Sequence, residues 1–246
     1  MHLENIRRDP LGGGKIIYVS DSHTFGTDAV LLADFAMARK RDNALDLGTG
    51  CGIIPLLWLS GEVTAHATGL EIDPAAVALG EKSAEENGWS EKLSFINADL
   101  REIKTVLKCE SFDLITCNPP YFKAESGFIS PENARANART ELTCTIDDVC
   151  RSAALVLKYG GRFCMCHRPE RLTDVLLSMR QHKIEPKRLR FVQDRAGKAP
   201  WLFLVEGRKG SKSSLEIQAP LVMKNDDGTR TEEMKRIYGK YGEGFN

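Results

Sequence analysis

Ala44-Leu45-Asp46-Leu47-Gly48-Thr49-Gly50-Cys51-Gly52-Ile53-Ile54 decides the fold of this 246-residue chain. Its apolar lead reads as a strand that stops abruptly, its three glycines as a turn, and Ile53 to Leu59 as the helix leaving that turn. Glycine accepts positive φ and lets a ligand approach the backbone closely. A helix that starts behind such a turn presents unpaired N–H groups and the positive end of its dipole. The stretch therefore predicts a ligand site.

Three features narrow the ligand. Gly48, Gly50 and Gly52 alternate, whereas the dinucleotide fingerprint leaves two residues between its last two glycines, and no Gly-Lys-Ser/Thr follows to make a P-loop. Asp46 stands inside the motif, where a carboxylate would repel a pyrophosphate and suits a cation. A second strand, His66 to Ile72, carries Glu71 where an acid can accept hydrogen bonds from ribose hydroxyls. These residues fit a nucleoside with a positively charged, phosphate-free tail, and S-adenosylmethionine has that shape. A glycine-rich turn of some other α/β protein is the competing reading.

Working outward, Asp73-Pro74 caps a helix that runs to Glu86 and stops at Asn87-Gly88. Leu93 to Leu100 is a third strand reaching Asp99, and Phe112 to Cys117 a fourth, followed at once by Asn118-Pro119-Pro120-Tyr121. Strands and helices alternate without a repeat unit, which predicts a doubly wound, parallel α/β sheet. Ligands of such sheets sit beyond the carboxyl ends of the strands, where Asp46, Glu71, Asp99 and Asn118 all fall. Upstream, residues 1–10 are expected to be loosely held, Ile16 to Val19 to form a short strand, and Thr27 to cap a helix that lies against the cofactor strand. Downstream, 122–140 shows no period and reads as a lid, a binding loop or disorder. Then come a helix from Thr145 to about Lys158, a Gly160-Gly161 turn and a strand from Arg162 to His167. An amphipathic helix around Leu172, Val175, Leu176 and Met179 follows, with strands at Leu189 to Val192, Trp201 to Glu206 and Leu215 to Val222, and a last short helix to Tyr238. One domain is expected over 1–246: an N-terminal strand and cofactor-capping helix in 1–43, a catalytic core in 44–210 and a C-terminal extension in 211–246.

With 42% hydrophobic residues the chain can bury one sizeable core. No apolar run approaches the ~20 residues that span a bilayer, the first residues lack a signal-peptide layout, and the seven cysteines include no C-x-x-C pair. A reducing cytoplasm is the expected location. Net charge is zero, yet residues 121–212 carry 18 Lys/Arg against 10 Asp/Glu, leaving 16 against 24 elsewhere. That asymmetry suggests a basic working face, with ordinary solvated surface as the alternative.

Asn118-Pro119-Pro120-Tyr121 supplies the chemistry. Its prolines remove two donors and leave carbonyls to accept. The Asn118 side-chain oxygen and the Pro119 carbonyl can together accept both hydrogens of a planar –NH₂ group, exposing its lone pair to a methyl sulfonium. The Tyr121 ring can stack on an aromatic base. Positioning and electrostatics carry such a reaction, since a sulfonium is already a strong electrophile.

Taken together, the glycine motif, Glu71-Ile72-Asp73, Asp99-Leu100 and Asn118-Pro119-Pro120-Tyr121 resemble the class I S-adenosylmethionine-dependent methyltransferases that methylate amino groups. Phe25-Gly26-Thr27-Asp28-Ala29-Val30-Leu31-Leu32, the stretch Arg135 to Thr140 and Ala219-Pro220-Leu221-Val222 resemble the bacterial adenine-N6 methyltransferases of valine tRNA, which act beside the anticodon at tRNA position 37. The resemblance implies a Rossmann-like, mostly parallel seven-stranded sheet with helices on both faces. It also implies S-adenosyl-L-methionine as cofactor and tRNA as partner. Asp46, Gly48 and Gly50 would then hold the methionine end, Glu71 the ribose, Ile72 the adenine face and Asp99 the adenine amino group, with Leu100 beside it. Phe25, Gly26 and Thr27 would close the pocket, and Asn118, Pro119 and Tyr121 would receive a flipped adenine. RNA contacts are expected at Lys123, Arg135, Arg139, Lys187, Arg188 and Arg190, with Arg195 and Lys198 nearby. The competing substrates are a release-factor glutamine amide and an rRNA guanine-N2 amine; a non-catalytic cofactor- or RNA-binding module is the competing class. No His, Cys or carboxylate cluster has metal spacing, and the sequence leaves the oligomeric state open, with a monomer favoured.

Overall fold

A computed structural model describes residues 5–64, 66–119 and 144–242. Its centre is β3 (Asn43–Leu47), flanked in parallel by β4 (His66–Glu71) on one side and β6 (Phe112–Cys117) on the other. The strand order is β5 (Leu93–Asn97), β4, β3, β6, β7 (Leu157–His167), β9 (Leu202–Lys209), β8 (Ile184–Arg195). Only β9 runs antiparallel to its neighbours in this seven-strand path. Chain order reverses beside β3, the topological switch point at which doubly wound sheets bind ligands. The single strand expected at Leu215 to Val222 is two short ones, β10 (Glu216–Ile217) and β11 (Leu221–Lys224). They lie end to end along the outer edge of β8, and Pro220 sits between them.

Alternation along the strands divides the core into two layers. Ala44, Cys164 and Cys166 face one layer with α1 (Thr27–Phe35), α2 (Ile53–Ser60), α3 (Pro74–Glu86) and the terminal helix α7 (Glu232–Gly239). Leu45, Leu47, Phe163 and Met165 face the other, with α4 (Ile103–Val106), α5 (Ile146–Val156) and α6 (Leu172–Gln181). Every residue of α2 from Ile53 to Leu59 is buried, so α2 needs a cover on its outer side. The N-terminus provides it. Residues 1–10 were expected to be loosely held, yet Arg7–Gly12 forms β1 and pairs antiparallel with β2 (Lys15–Val19). Leu11 and Ile17 are fully buried in the layer that holds α2. Among the described residues no helix is long and apolar enough to cross a membrane.

Two local expectations change. Gly26, rather than Thr27, is the N-cap of α1; its side of the helix has no side-chain cap, and the Thr27 hydroxyl instead meets the Tyr238 hydroxyl at 3.3 Å. The Gly160-Gly161 pair is not a turn before a strand: β7 begins at Leu157 and runs through it, with a register shift against β6.

Candidate active site

The glycine turn is clasped to the end of β4. Gly48 N and Thr49 N both donate to the Leu70 carbonyl, at 2.8 and 3.1 Å, and Gly50 N donates to Glu71 Oε2 at 2.9 Å. Gly48, Gly50 and Gly52 have φ of +65°, +56° and +84°, a conformation L side chains rarely adopt. No atom lies within 4 Å of where a Cβ on Gly48 or Gly50 would sit, so both face open space. Behind the turn, the Phe95 ring of β5 fills a slot formed by glycines: a Cβ on Gly52, Gly69 or Gly80 would come within 2.5–2.9 Å of that ring.

Asp46 is 2% exposed and accepts from Thr116 Oγ1 at 2.6 Å. Burial raises its pKa to about 7; hydrogen bonding from Thr116 and the proximity of the Thr49 hydroxyl oppose that rise, and the Glu71 charge adds to it. Thr49 Oγ1 is itself buried without a partner in hydrogen-bond geometry. Asp46 and Asn118 line one cavity of about 190 Å³ of water-accessible space, together with Phe25, Gly26, Asp28 and Thr49. The β3–β6 register, with Leu47 opposite Cys117, brings the turn and Asn118 side by side. The sequence reading did not single out Asp28, Thr49, Thr116 or Cys166. Asp28 had a signal, a second carboxylate directly after Phe25-Gly26-Thr27, whereas Thr116 and Cys166 are ordinary strand residues until pairing sets them beside Asp46 and Asn118.

Glu71, Ile72, Asp99 and Leu100 lie outside that cavity, along the carboxyl ends of β4 and β5. Glu71 Oε1 accepts from Ile72 N and Asp73 N at 2.8 and 3.0 Å, which fixes the carboxylate, and Ile72 leaves 59% of its surface to solvent. Asn97 Nδ2 holds the same bend through the Glu71 and Ile72 carbonyls. Arg101 bonds both carboxylate oxygens of Asp99 and keeps that acid below its usual range. The Leu100 carbonyl accepts from Ser152, and its side chain packs on the second core layer.

The basic residues expected to meet RNA have partners within the fold where they are described. Lys187 Nζ bonds Ser214 and the Lys212 carbonyl, Arg188 pairs with Glu206 and the Phe35 carbonyl, and Arg190 forms a fork with Glu233 at 2.8 Å. All three are half-buried and engaged in contacts within the fold. Part of the charge asymmetry is likewise taken up within the fold. Lys158–Asp113, Arg162–Asp42, Arg190–Glu233 and Lys209–Glu110 each join a cation of the basic segment to an acid outside it. Tyr121, Lys123, Arg135 and Arg139 lie outside the described residues. Among the described residues no group of three or more His, Cys, Asp or Glu could hold a metal ion.

A family model described as a methyltransferase domain matches residues 38–200. A tRNA1(Val) (adenine(37)-N6)-methyltransferase of Porphyromonas gingivalis is 30% identical over 189 residues, covering 74% of this chain and 73% of that protein. The chain belongs to the S-adenosylmethionine-dependent methyltransferases. A Shewanella sediminis protein of the same name as the Porphyromonas one is 28% identical over 219 residues, covering 86% of this methyltransferase and 88% of its own length. Among solved structures, a predicted O-methyltransferase from Agrobacterium tumefaciens superimposes with a TM-score of 0.71 at 21% identity, over 87% of this chain and 97% of that one. A Streptomyces coelicolor geranyl diphosphate C-methyltransferase, solved with S-adenosyl-L-homocysteine, gives 0.52 at 12% identity, over 74% and 75% of the two chains. Both likenesses show the Rossmann-like methyltransferase fold.

The methyltransferase site fits S-adenosyl-L-methionine, the family's cofactor. Two carboxylates, Asp28 and Asp46, face a cavity that would take the cationic methionine end. The unpaired Thr49 hydroxyl and the open space over Gly48 and Gly50 leave polar groups and room for a ligand against the backbone.

Proposed function

We propose that this methyltransferase transfers a methyl group to N6 of an adenine in tRNA, with valine tRNA position 37 as its target. The observation that carries the reading is Asn118, placed after β6 in the same cavity as Asp46 and the glycine turn. The names of the Porphyromonas and Shewanella relatives support the substrate.

Bound S-adenosyl-L-methionine supplies an electrophilic methyl group on a sulfonium. Asp46, with the Gly48 and Gly50 backbone, takes its ammonium and methionine end; Phe25, Gly26 and Thr27 close the pocket from α1. Glu71 accepts from a ribose hydroxyl. A carboxylate offers about four acceptor positions, and backbone donors occupy three here. Ile72, exposed and held by Asn97, packs on the adenine ring, and Asp99 with Leu100 borders its amino edge.

Asn118 Oδ1 and the Pro119 carbonyl accept the two N6 hydrogens of the target adenine, while Tyr121 stacks on the flipped base. Two acceptors on one amino group pull its nitrogen towards sp³ character and aim the lone pair at the methyl carbon. The nitrogen forms the new bond as the carbon–sulfur bond breaks, and the extra proton leaves to water. Lys123, Arg135 and Arg139 contact RNA phosphates, which makes binding salt-dependent. One domain over 1–246 serves the whole reaction.

The test is methyl transfer from labelled cofactor to an unmodified valine tRNA transcript, with nucleosides separated by mass spectrometry. N6-methyladenosine is the expected product. Labelled glutamine in added release factor, with unlabelled RNA, would overturn the substrate and leave the methyltransferase chemistry standing.

A further inference from the structure

We propose that Cys166 is a positioning residue for methyl transfer: its thiol holds the Asn118 carboxamide with Oδ1 oriented to accept from the target amino group. This rests on the functional reading above. Cys166 is fully buried on β7, and its Sγ lies 3.0 Å from Asn118 Oδ1. The parallel pairing of Cys117 with Met165 puts Asn118 beside it. Alternation turns Cys166 into the layer of α1 and α2, the side on which the cavity opens, and turns Met165 away.

A carboxamide has two nearly isosteric orientations half a turn apart, and only one presents oxygen to the substrate. The thiol separates them. Burial and the nearby Asp28 and Asp46 carboxylates hold its pKa well above the ordinary value, so the sulfur keeps its proton. An S–H donor facing Oδ1 meets a good acceptor; facing Nδ2, the sulfur could only accept, and it accepts weakly. The carboxamide oxygen has two lone pairs, one for Cys166 and one for the incoming N–H. A thiol is also a weak donor, so it orients the oxygen while withdrawing little of the electron density that the substrate needs.

Cys166→Ala and Cys166→Ser remove nearly the same volume, and only serine keeps a donor. The alanine variant should lose about two- to tenfold in kcat, the span of net hydrogen-bond values, with KM for the cofactor and the thermal midpoint matching those of the serine variant. Cys166→Ser should recover most of the lost rate. Equal kcat in the two variants would overturn the proposal, since a space-filling role predicts that result.

A second readout needs no substrate. The infrared S–H stretch of Cys166, isolated as the wild-type minus Cys166→Ala difference, should lie at a hydrogen-bonded frequency and move to the free-thiol position in Asn118→Ala. A band that Asn118→Ala leaves in place would also overturn it. Absence of N6-methyladenosine with the wild-type protein would instead refute the functional reading, and the infrared shift would still decide the contact.

Discussion

Lowering the pH from 8 to 6 should weaken cofactor binding about tenfold through one carboxylate, Asp46. Burial lifts its pKa from an ordinary 3.8 to about 7. With that value, roughly nine tenths of Asp46 is ionised at pH 8 and roughly one tenth at pH 6. A cationic ligand selects the ionised form, so Kd follows that ratio, about 1.4 kcal/mol. The stability sign runs the same way. A carboxyl whose folded pKa is raised favours the protonated native state, so its contribution is full below the unfolded value and is lost as pH rises through about 7. The loss is on the order of 4 kcal/mol for a shift of this size. At neutral pH the cofactor-free protein carries a strained buried charge, which a bound ammonium offsets. Calorimetric titration with S-adenosylmethionine at both pH values, on wild type and Asp46→Asn, measures this. The α-amino group of the cofactor titrates near pH 8 as well, so the deciding quantity is the slope of wild type minus that of the variant. Identical slopes would refute the assignment of the proton to Asp46.

Three further outcomes follow from packing and charge. Gly80→Ala should destabilise the protein by about 1–3 kcal/mol in denaturant titration, because its Cβ would fall 2.5 Å from the Phe95 ring. Helix propensity alone would stabilise by about 1 kcal/mol, so the sign shows which effect wins, and Phe95→Leu should restore part of the loss. Arg162→Met should cost about 3–5 kcal/mol, since it leaves Asp42 buried without its cation and Glu206 with Arg188 alone, whereas Arg8→Ala at the exposed Glu86 pair should cost under about 1 kcal/mol. Arg190→Ala should lower the thermal midpoint yet leave the salt dependence of tRNA binding unchanged, because its guanidinium is engaged by Glu233 and the Ala219 carbonyl.

The parts of the site legible in sequence were those that one strand end specifies by itself. Asp46 with its glycines, Glu71 and Asn118 each sit at the carboxyl end of a parallel strand, so alternation of strand and helix sufficed to bring them to one rim. What depended on a distant partner was not legible. Arg188 and Arg190 read as free cations because Glu206 and Glu233 are far along the chain. Arg7 to Gly12 looks polar and idle until the wholly apolar α2 requires a cover. Cys166 reads as one more buried cysteine, and only the β6–β7 register sets it against Asn118.

The measurement that tests the central claim most directly is single-turnover formation of N6-methyladenosine in valine tRNA transcripts carrying either adenine or guanine at position 37. Wild type should methylate the adenine transcript and leave the guanine transcript untouched. Asn118→Ala should bind cofactor normally yet lose about 10²–10³-fold in rate on the adenine transcript, as expected for a group that stabilises the transition state. Equal methylation of the two transcripts, or an Asn118→Ala variant as fast as wild type, would contradict the account.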